Sequence, residues 1–216
     1  MIIEKLKQLL LSRGFVGLIR FILSRIVRST HENIYQKNYD AKQQKIEITP
    51  LEPTWNIQRI DRHNFLEESK RVLLNSLCRG EVTTYINAIK ADSILFAVTE
   101  GEKVIHTSFI QFKSRYKNLI QELNETPLIG NCWTDNQYRG NGLYPKTIYL
   151  AAESLFESGY ERVLISCATD NIASIKGIEK ANFDLVQELK SYIFLNKFAF
   201  QLSKKDKQHN WKFIIF

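Results

Sequence analysis

A glycine-containing turn between two periodic segments constrains the fold of this chain more than any other feature. Residues 137–142 read Gln-Tyr-Arg-Gly-Asn-Gly. The apolar residues 127–134 before the turn predict a strand, and apolar residues recur at three- and four-residue steps across 143–158, which predicts an amphipathic helix. Two glycines one residue apart let backbone N–H groups turn inward, and the helix start adds positive potential there. The sequence therefore predicts a strand–turn–helix unit that can hold a phosphorylated ligand.

A second strand–helix unit follows directly. Gly159 is the predicted left-handed end of the first helix, and residues 161–169 are rich in β-formers and predict a buried strand. Asp170 and Asn171 form a helix-start signal, so the sequence predicts a helix over 172–180. The helix is followed by Asn182. After glycine, asparagine is the residue that best tolerates the left-handed conformation at a helix end. Both units have the alternation of strand and helix that builds a layered α/β domain.

The remaining periodic segments predict further strands and one helix. Helical spacing is present over 65–77, and two β-rich runs, 93–99 and 103–110, flank the turn 100–102 as in a hairpin. A late hairpin-like pair is predicted at 185–189 and 192–200, and a short strand at 46–49.

These motifs resemble those of the GNAT superfamily of acyl-CoA-dependent N-acyltransferases. Residues 137–142 fit the Gln/Arg-x-x-Gly-x-Gly/Ala pattern at every specified position, and residues 179–183 resemble Glu-Lys-x-Gly-Phe, with Asn182 in place of the glycine. The resemblance implies a mixed α/β (α+β) fold. In that fold a central, mostly antiparallel mixed sheet of about six to seven strands is flanked by helices.

The resemblance also implies acetyl-CoA, or another acyl-CoA, as co-substrate. In the family the Asn at the position of Asn171 contacts the pantetheine arm or the 3′-phosphate end, although here a plain N-cap explains Asn171 equally well. Trp133 can likewise serve core packing alone. The residues predicted to bind the coenzyme are Trp133, Thr134, Gln137, Tyr138, Arg139, Gly140, Asn141, Gly142, Leu143, Tyr144, Asn171 and Ser174.

For catalysis the resemblance implies direct attack by an amine on a thioester carbonyl beside the strand that ends at Thr134. Many members carry a tyrosine as general acid where this chain has Ile178, so that acid is missing or comes from elsewhere. Candidates for a general base are Glu125, Asp135 and His106, although a lone His in a strand is more often structural. No Ser-His or Cys-His arrangement indicates a covalent intermediate.

The first thirty residues are basic and amphipathic. They contain six Lys or Arg and one Glu, a net charge of +5 out of +7 for the whole chain, and predict one or two helices broken near Gly14 and Gly17. Arg20 and Arg25 interrupt the apolar run, which argues against a spanning helix, and a cleavable signal is not expected. One hypothesis is peripheral contact with an anionic membrane; the alternative is packing on the chain's own domain or on a partner.

The predicted organisation is a basic amphipathic helical extension (1–30), a polar linker (31–54), a GNAT-like acyltransferase domain (55–202) and a C-terminal tail or edge strand (203–216). Three separated cysteines favour neither disulfides nor zinc, and we expect no metal and a cytoplasmic location, with association at the inner membrane surface as an option.

The expected function is acetyl transfer to a primary amine of a small molecule or amino sugar. A non-catalytic CoA-binding module and a membrane-recruited scaffold without cofactor are the alternatives. Nucleic acid is not an expected partner, because the basic residues concentrate on an apolar segment. A homodimer is left open.

Overall fold

The computed structural model describes residues 14–16, 27–40, 52–76, 82–122, 125–195, 197–205 and 208–215. The chain divides into two compact units. The larger unit comprises residues 33–186, and the smaller one comprises residues 1–32 together with 187–216.

Nine strands and five helices of five residues or more are present in the described residues, and residues 14–16 are helical as well. The strands are β1 (Val27–Asn38), β2 (Trp55–Ile60), β3 (Ile94–Glu100), β4 (Lys103–Gln111), β5 (Leu128–Thr134), β6 (Arg162–Ala168), β7 (Asp184–Phe194), β8 (Phe198–Lys205) and β9 (Gln208–Ile215). The helices are α1 (Glu68–Ser76), α2 (Val82–Lys90), α3 (Arg115–Leu119), α4 (Leu143–Glu157) and α5 (Ile172–Lys180), with a 3₁₀ turn at Asn136–Tyr138. The mixed α/β class is confirmed, but the predicted six to seven strands are too few.

In the larger unit the strand order is β2-β3-β4-β5-β6, followed by β1, whose second half belongs to this unit. Strands β2 to β5 pair antiparallel, and β5 and β6 pair parallel. The predicted hairpin of β3 and β4 is confirmed, as are the strand–turn–helix unit and the second strand–helix unit.

Helix α4 supplies much of the core of this unit. Its predicted apolar stripe is buried, with Ile148, Ala151 and Ala152 all fully inaccessible to solvent. These residues belong to the same hydrophobic cluster as Ile129 of β5 and Val163 of β6. Gly159 (φ 91°) and Asn182 (φ 60°) both adopt the predicted left-handed conformation just after α4 and α5. Both helices therefore end where the sequence predicted.

The smaller unit contains the antiparallel strands β7, β8 and β9. The turn of the predicted late strand pair was misplaced. Strand β7 continues to Phe194, and the turn lies at 195–197 rather than at 190–191. Lys190 is exposed and Ser191 is buried, so these polar residues continue the strand's alternation instead of ending it. The segment predicted as tail or edge strand contains β9.

Strand β1 departs from the expected helical extension and linker. Residues 27–38 form one continuous strand across the predicted boundary at 30 and 31. Ile34, Tyr35 and the lysine at 37 are buried, because the strand takes part in the core of the larger unit. The other residues of the predicted helices in 1–30, apart from 14–16, lie outside the described residues, as does the strand predicted at 46–49.

Candidate functional site

A cavity of about 510 Å³ opens where β5 and β6 stop pairing. The two strands pair at Leu128 with Leu164 and at Ile129 with Ile165, and their described ladder ends there. The cavity is lined by residues from the end of β5, the glycine turn with the start of α4, and one face of α5. These residues are Cys132, Trp133, Thr134, Tyr138, Arg139, Gly140, Gly142, Leu143, Tyr144, Pro145, Asn171, Ala173, Ser174, Lys176, Gly177 and Lys180.

The glycine turn forms one wall of this cavity. Gly140 (φ 83°) and Gly142 (φ 72°) are both left-handed, and Gly142 caps α4 without a side-chain hydrogen bond. A Cβ on Gly140 would meet nothing within 4 Å, so glycine is needed there for its conformation rather than for space. The N–H groups of the first helical turn have no acceptor within the helix. The start of α4 is therefore suited to bind an anion.

Three cations surround the same cavity. Arg139 lies in the turn, with its Nε donating to the backbone oxygen of Thr134 at 3.2 Å, and Lys176 and Lys180 project from α5. Their positive charges add to the potential at the helix start. The combination of oriented N–H groups and cations fits a ligand with several phosphates.

The end of β5 carries a backbone irregularity beside the cavity. The register with β4 shifts between Thr107 and Phe109, and Asn131 has a φ of 48°. A bulge of this kind takes a residue out of the ladder and redirects its backbone groups. The strand wall next to Trp133 and Thr134 can therefore offer backbone donors to a ligand.

Tyr144 extends from the start of α4 towards α5. A Cβ on Gly177 would lie 2.5 Å from Cδ1 of the Tyr144 ring, so the ring occupies the space that only a glycine leaves. Ser174 hydrogen bonds to the tyrosine side chain. Burial, followed by the nearby thiols of Cys132 and Cys167, raises the pKa of Tyr144 above its ordinary value. The hydroxyl therefore keeps its proton at neutral pH.

His106 lies behind the cavity wall, fully buried in β4. Its Nδ1 is 2.8 Å from the hydroxyl oxygen of Thr134, and its Nε2 is 2.9 Å from that of Ser108. Burial lowers the pKa of His106 to about 3. The imidazole is neutral at pH 7 and is a weak base.

The two acidic candidates also lie outside the cavity lining. Asp135 accepts a hydrogen bond from the backbone of Gln137, which is the main cause of its lowered pKa, and its carboxylate lies 3.1 Å from Lys103. Glu125 is exposed just before β5. None of the three base candidates lines the cavity.

Ten of the twelve predicted coenzyme-binding residues line the cavity, and Gln137 and Asn141 do not. The side chain of Gln137 accepts from Lys103 at 3.2 Å, and that of Asn141 donates to the backbone of Tyr138 at 3.4 Å. Sequence reasoning missed Cys132, Pro145, Ala173, Lys176, Gly177 and Lys180. Four of these follow Asn171 at helical spacing, which places them on one face of α5 and could have identified them.

The comparisons with known proteins bear on the fold. No family model matches the sequence, and no curated protein sequence matches it. An acetyltransferase of the GNAT family from Colwellia psychrerythraea is 16% identical with a TM-score of 0.53, over 84% of this chain and 63% of that chain. A GCN5-related N-acetyltransferase from Sphaerobacter thermophilus is 11% identical with a TM-score of 0.53, over 83% of this chain and 55% of that one. This chain thus covers less than two thirds of either protein. The chain has the fold of the GNAT superfamily.

Proposed function

We propose that this protein is an acyl-CoA-dependent N-acyltransferase that transfers acetyl from acetyl-CoA to a primary amine of a small molecule or amino sugar. The observation that carries the proposal is the cavity at the divergence of β5 and β6. There two left-handed glycines, the start of α4 and three cations converge. These residues fit the diphosphate and the ribose phosphate of coenzyme A.

In this proposal the backbone of residues 138–144 holds the diphosphate, and Lys176 and Lys180 hold the ribose phosphate. The side of β5 from Cys132 to Thr134 orients the pantetheine arm. Acetyl-CoA, when bound, supplies an acyl group activated as a thioester. The bulged backbone of β5 offers donors that stabilise negative charge on a carbonyl oxygen, which is a large source of rate in acyl transfer.

Tyr144 is the hydrogen-bond donor that we assign to the leaving sulfur. Ile178, at the position where the resemblance led us to expect a tyrosine, is fully buried and has no proton to give. Tyr144 lines the cavity, and its raised pKa keeps the hydroxyl protonated. The hydroxyl can therefore donate a hydrogen bond to the leaving sulfur as negative charge develops there, and the thiolate then takes its proton from solvent.

None of the three candidate residues is proposed as the general base that removes a proton from the amine. The pKa of His106 is about 3 and that of Asp135 is lowered, so both are weak bases at neutral pH. We therefore propose direct attack by the neutral amine, with the proton passing to solvent. Variants of Glu125, Asp135 and His106 test this assignment, because each should retain most of its kcat.

Residues 1–30 are proposed to contact the inner surface of an anionic membrane while the larger unit works in the cytoplasm. Their net charge of +5 supports this, since each basic residue near such a surface contributes about 1 kcal/mol. Within the part of the chain that the structure describes, no helix has the length and hydropathy needed to cross a bilayer. Sedimentation with liposomes, with and without residues 1–30, tests the proposal.

Calorimetric titration with acetyl-CoA, desulfo-CoA and inorganic phosphate tests the binding step. We expect both coenzymes to bind far more tightly than phosphate. A scaffold without cofactor would bind neither coenzyme. A screen of primary amines for release of free thiol then separates an enzyme from a non-catalytic module, which would bind coenzyme and release none.

A further inference from the structure

The smaller unit presents an aromatic face on β7, β8 and β9. The strand register places Tyr192 opposite Phe200 and Phe200 opposite Phe213, so these three side chains form one row on the same face. The neighbouring cross-strand rows of the same face carry three further aromatic side chains. The aromatic face consists of Tyr192, Phe194, Phe198, Phe200, Trp211 and Phe213.

The residues of this face on β9 and Phe200 on β8 are exposed to solvent, and its other members are partly buried, whereas Ser191, Ala199 and Ile214 on the opposite face are buried. The exposed fractions are 62% for Trp211, 54% for Phe213 and 48% for Phe200, and Ile215 beside them is 72% exposed. On the opposite face Ser191 is 1% exposed. An antiparallel sheet normally turns its polar residues to water, so an outward aromatic row indicates a binding surface.

The aromatic rings contact one another. The ring centroids of Phe200 and Phe213 are 5.0 Å apart, and those of Phe198 and Phe213 are 6.1 Å apart. Lys190 lies over the Tyr192 ring, with its Nζ 5.4 Å from the centroid. The side chains thus form a continuous apolar patch with a cation at its margin.

Charge is divided unequally between the two units. Residues 1–32 and residues 187–216 each contain six Lys or Arg and two Asp or Glu, which gives the smaller unit a net charge of +8. The whole chain has a net charge of +7, so residues 33–186 carry −1. The unit that exposes the aromatic face therefore carries all of the net positive charge.

We propose that the aromatic face docks on the surface of a bilayer that contains anionic phospholipids. Trp and Phe are suited to the boundary between headgroups and acyl chains, and Lys side chains bind the headgroups while their stems stay apolar. Lys190 of β7, Lys204 of β8 and Lys197 in the turn between these strands are all exposed. The charge of the unit complements the negative potential of such a surface.

Two other occupants fit the observations less well. A second copy would bring two units of charge +8 together, which opposes association. Single-stranded nucleic acid stacks on separate aromatic rings, whereas here the rings pack on one another and include aliphatic neighbours such as Ile215. A lipid surface accepts both the apolar patch and the positive charge.

The experiment is vesicle sedimentation of the full chain, with neutral phosphatidylcholine vesicles and with vesicles that contain phosphatidylglycerol. The test variant is Trp211→Ser/Phe213→Ser. The matched control is Leu66→Ser/Val72→Ser, which removes two hydrophobic side chains of similar exposure (70% and 53%) from the larger unit. Every protein retains residues 1–30, so a difference between the variants belongs to the aromatic face.

We expect the wild type and the control to bind the anionic vesicles, and the test variant to bind on the order of tenfold more weakly. Binding should weaken further in high salt. On adding vesicles, the tryptophan emission should shift to the blue, and Trp211→Phe should remove that shift. Circular dichroism of each variant verifies that it is folded.

Equal binding of the wild type and the test variant to anionic vesicles overturns the proposal. Equal binding of the wild type to neutral and anionic vesicles also overturns it. A dimer by sedimentation velocity that Trp211→Ser/Phe213→Ser dissociates would instead assign the face to a second copy. Binding to oligouridine but not to vesicles would assign it to nucleic acid. None of these measurements depends on acyl transfer, so the proposed enzymatic activity stands or fails separately.

Discussion

At the residue scale, Gly142 and Gly130 lie twelve positions apart but differ in what their backbones require. Gly142 is left-handed, whereas Gly130 does not have a positive φ and an added Cβ there would meet nothing within 4 Å. A non-glycine residue in the left-handed region costs about 1–2 kcal/mol. The loop conformation is therefore the specific requirement at Gly142.

We predict that Gly142→Ala lowers the affinity for coenzyme A about five- to tenfold, because the loop is displaced from its left-handed conformation. Calorimetric titration measures the change. Gly130→Ala is the matched control and should leave the affinity within about twofold. If the two variants bind equally well, the conformation of Gly142 is not what holds the coenzyme.

A second residue-scale prediction concerns the Tyr144 hydroxyl. Tyr144→Phe should lower kcat by about 10- to 100-fold, because it removes the proposed hydrogen-bond donor to the leaving sulfur and leaves the ring in place against Gly177. The dissociation constant of coenzyme A should change by less than about threefold.

The split between kcat and coenzyme binding distinguishes a hydrogen-bond donor from a packing residue, and the pH profile checks that the hydroxyl does not titrate. The pKa of Tyr144 lies above its ordinary value, so the wild-type hydroxyl stays protonated. The ratio of wild-type to variant kcat should therefore be constant between about pH 7 and 9. A variant that loses coenzyme binding and keeps its kcat would contradict the assignment.

Sequence patterns predicted the residues whose roles are local. Glycines in a turn and Asn182 after a helix have recognisable signals, since each is set by the conformation of its own backbone. The contact between Tyr144 and Gly177 joins residues 33 positions apart, and no local periodicity reports it. For that reason the sequence showed that Ile178 stands where the family's tyrosine is expected, but it did not point to Tyr144.

At the element scale, α4 and α5 approach closely because Gly177 has no side chain. A Cβ at Gly177 would lie 2.5 Å and 2.7 Å from two ring carbons of Tyr144, a distance that requires movement. We predict that Gly177→Ala destabilises the fold by about 1–3 kcal/mol, the usual cost of overpacking. Urea unfolding followed by circular dichroism measures the loss.

A double-mutant cycle assigns this cost to the tyrosine ring. In the Tyr144→Ala background the ring is absent, so Gly177→Ala should cost at least about 1 kcal/mol less than in the wild type. Gly130→Ala serves again as control and should cost the same in both backgrounds. Additive effects of Tyr144→Ala and Gly177→Ala would mean that the clash lies elsewhere.

Elements with a clear period and an end signal were predicted to within a few residues, as α5 and the β3–β4 hairpin show. The β7–β8 turn was misplaced because the polar pair Lys190 and Ser191 resembles a loop, although one is exposed and the other buried. Strand β1 was missed because its polar residues resemble a linker. Tertiary packing buries Lys37 there, with Nζ 3.1 Å from Glu153 and 3.7 Å from the Tyr149 ring centroid.

At the scale of the whole molecule, the two ends of the chain belong to one unit. The sequence showed a basic first segment, but the equal charge of the last thirty residues was not recognised as part of the same pattern. The contact between His31 and Glu188 joins residues 157 positions apart and cannot be derived from periodicity, since only folding brings them together. The separation of a basic unit from a nearly neutral one therefore emerges only from the structure.

Buried His106 makes the stability of the whole molecule depend on pH. Burial lowers the pKa of the folded-state imidazole to about 3, whereas in the unfolded chain it is about 6.5. Below pH 6.5 the unfolded state binds a proton that the folded state does not. Stability from this group is therefore full above about pH 6.5 and decreases as the pH falls towards 3.

We predict that the free energy of unfolding decreases by about 1–2 kcal/mol between about pH 7 and pH 5, a window chosen above the titration of most carboxylates. Urea unfolding at each pH measures it. His106→Gln should be less stable at pH 7 and nearly independent of pH in this window, because the amide does not titrate. His63→Gln replaces an exposed histidine and should keep the wild-type slope. If the slope persists in His106→Gln, other groups produce it. The imidazole of the folded protein would then bind a proton in this pH window as readily as that of the unfolded chain.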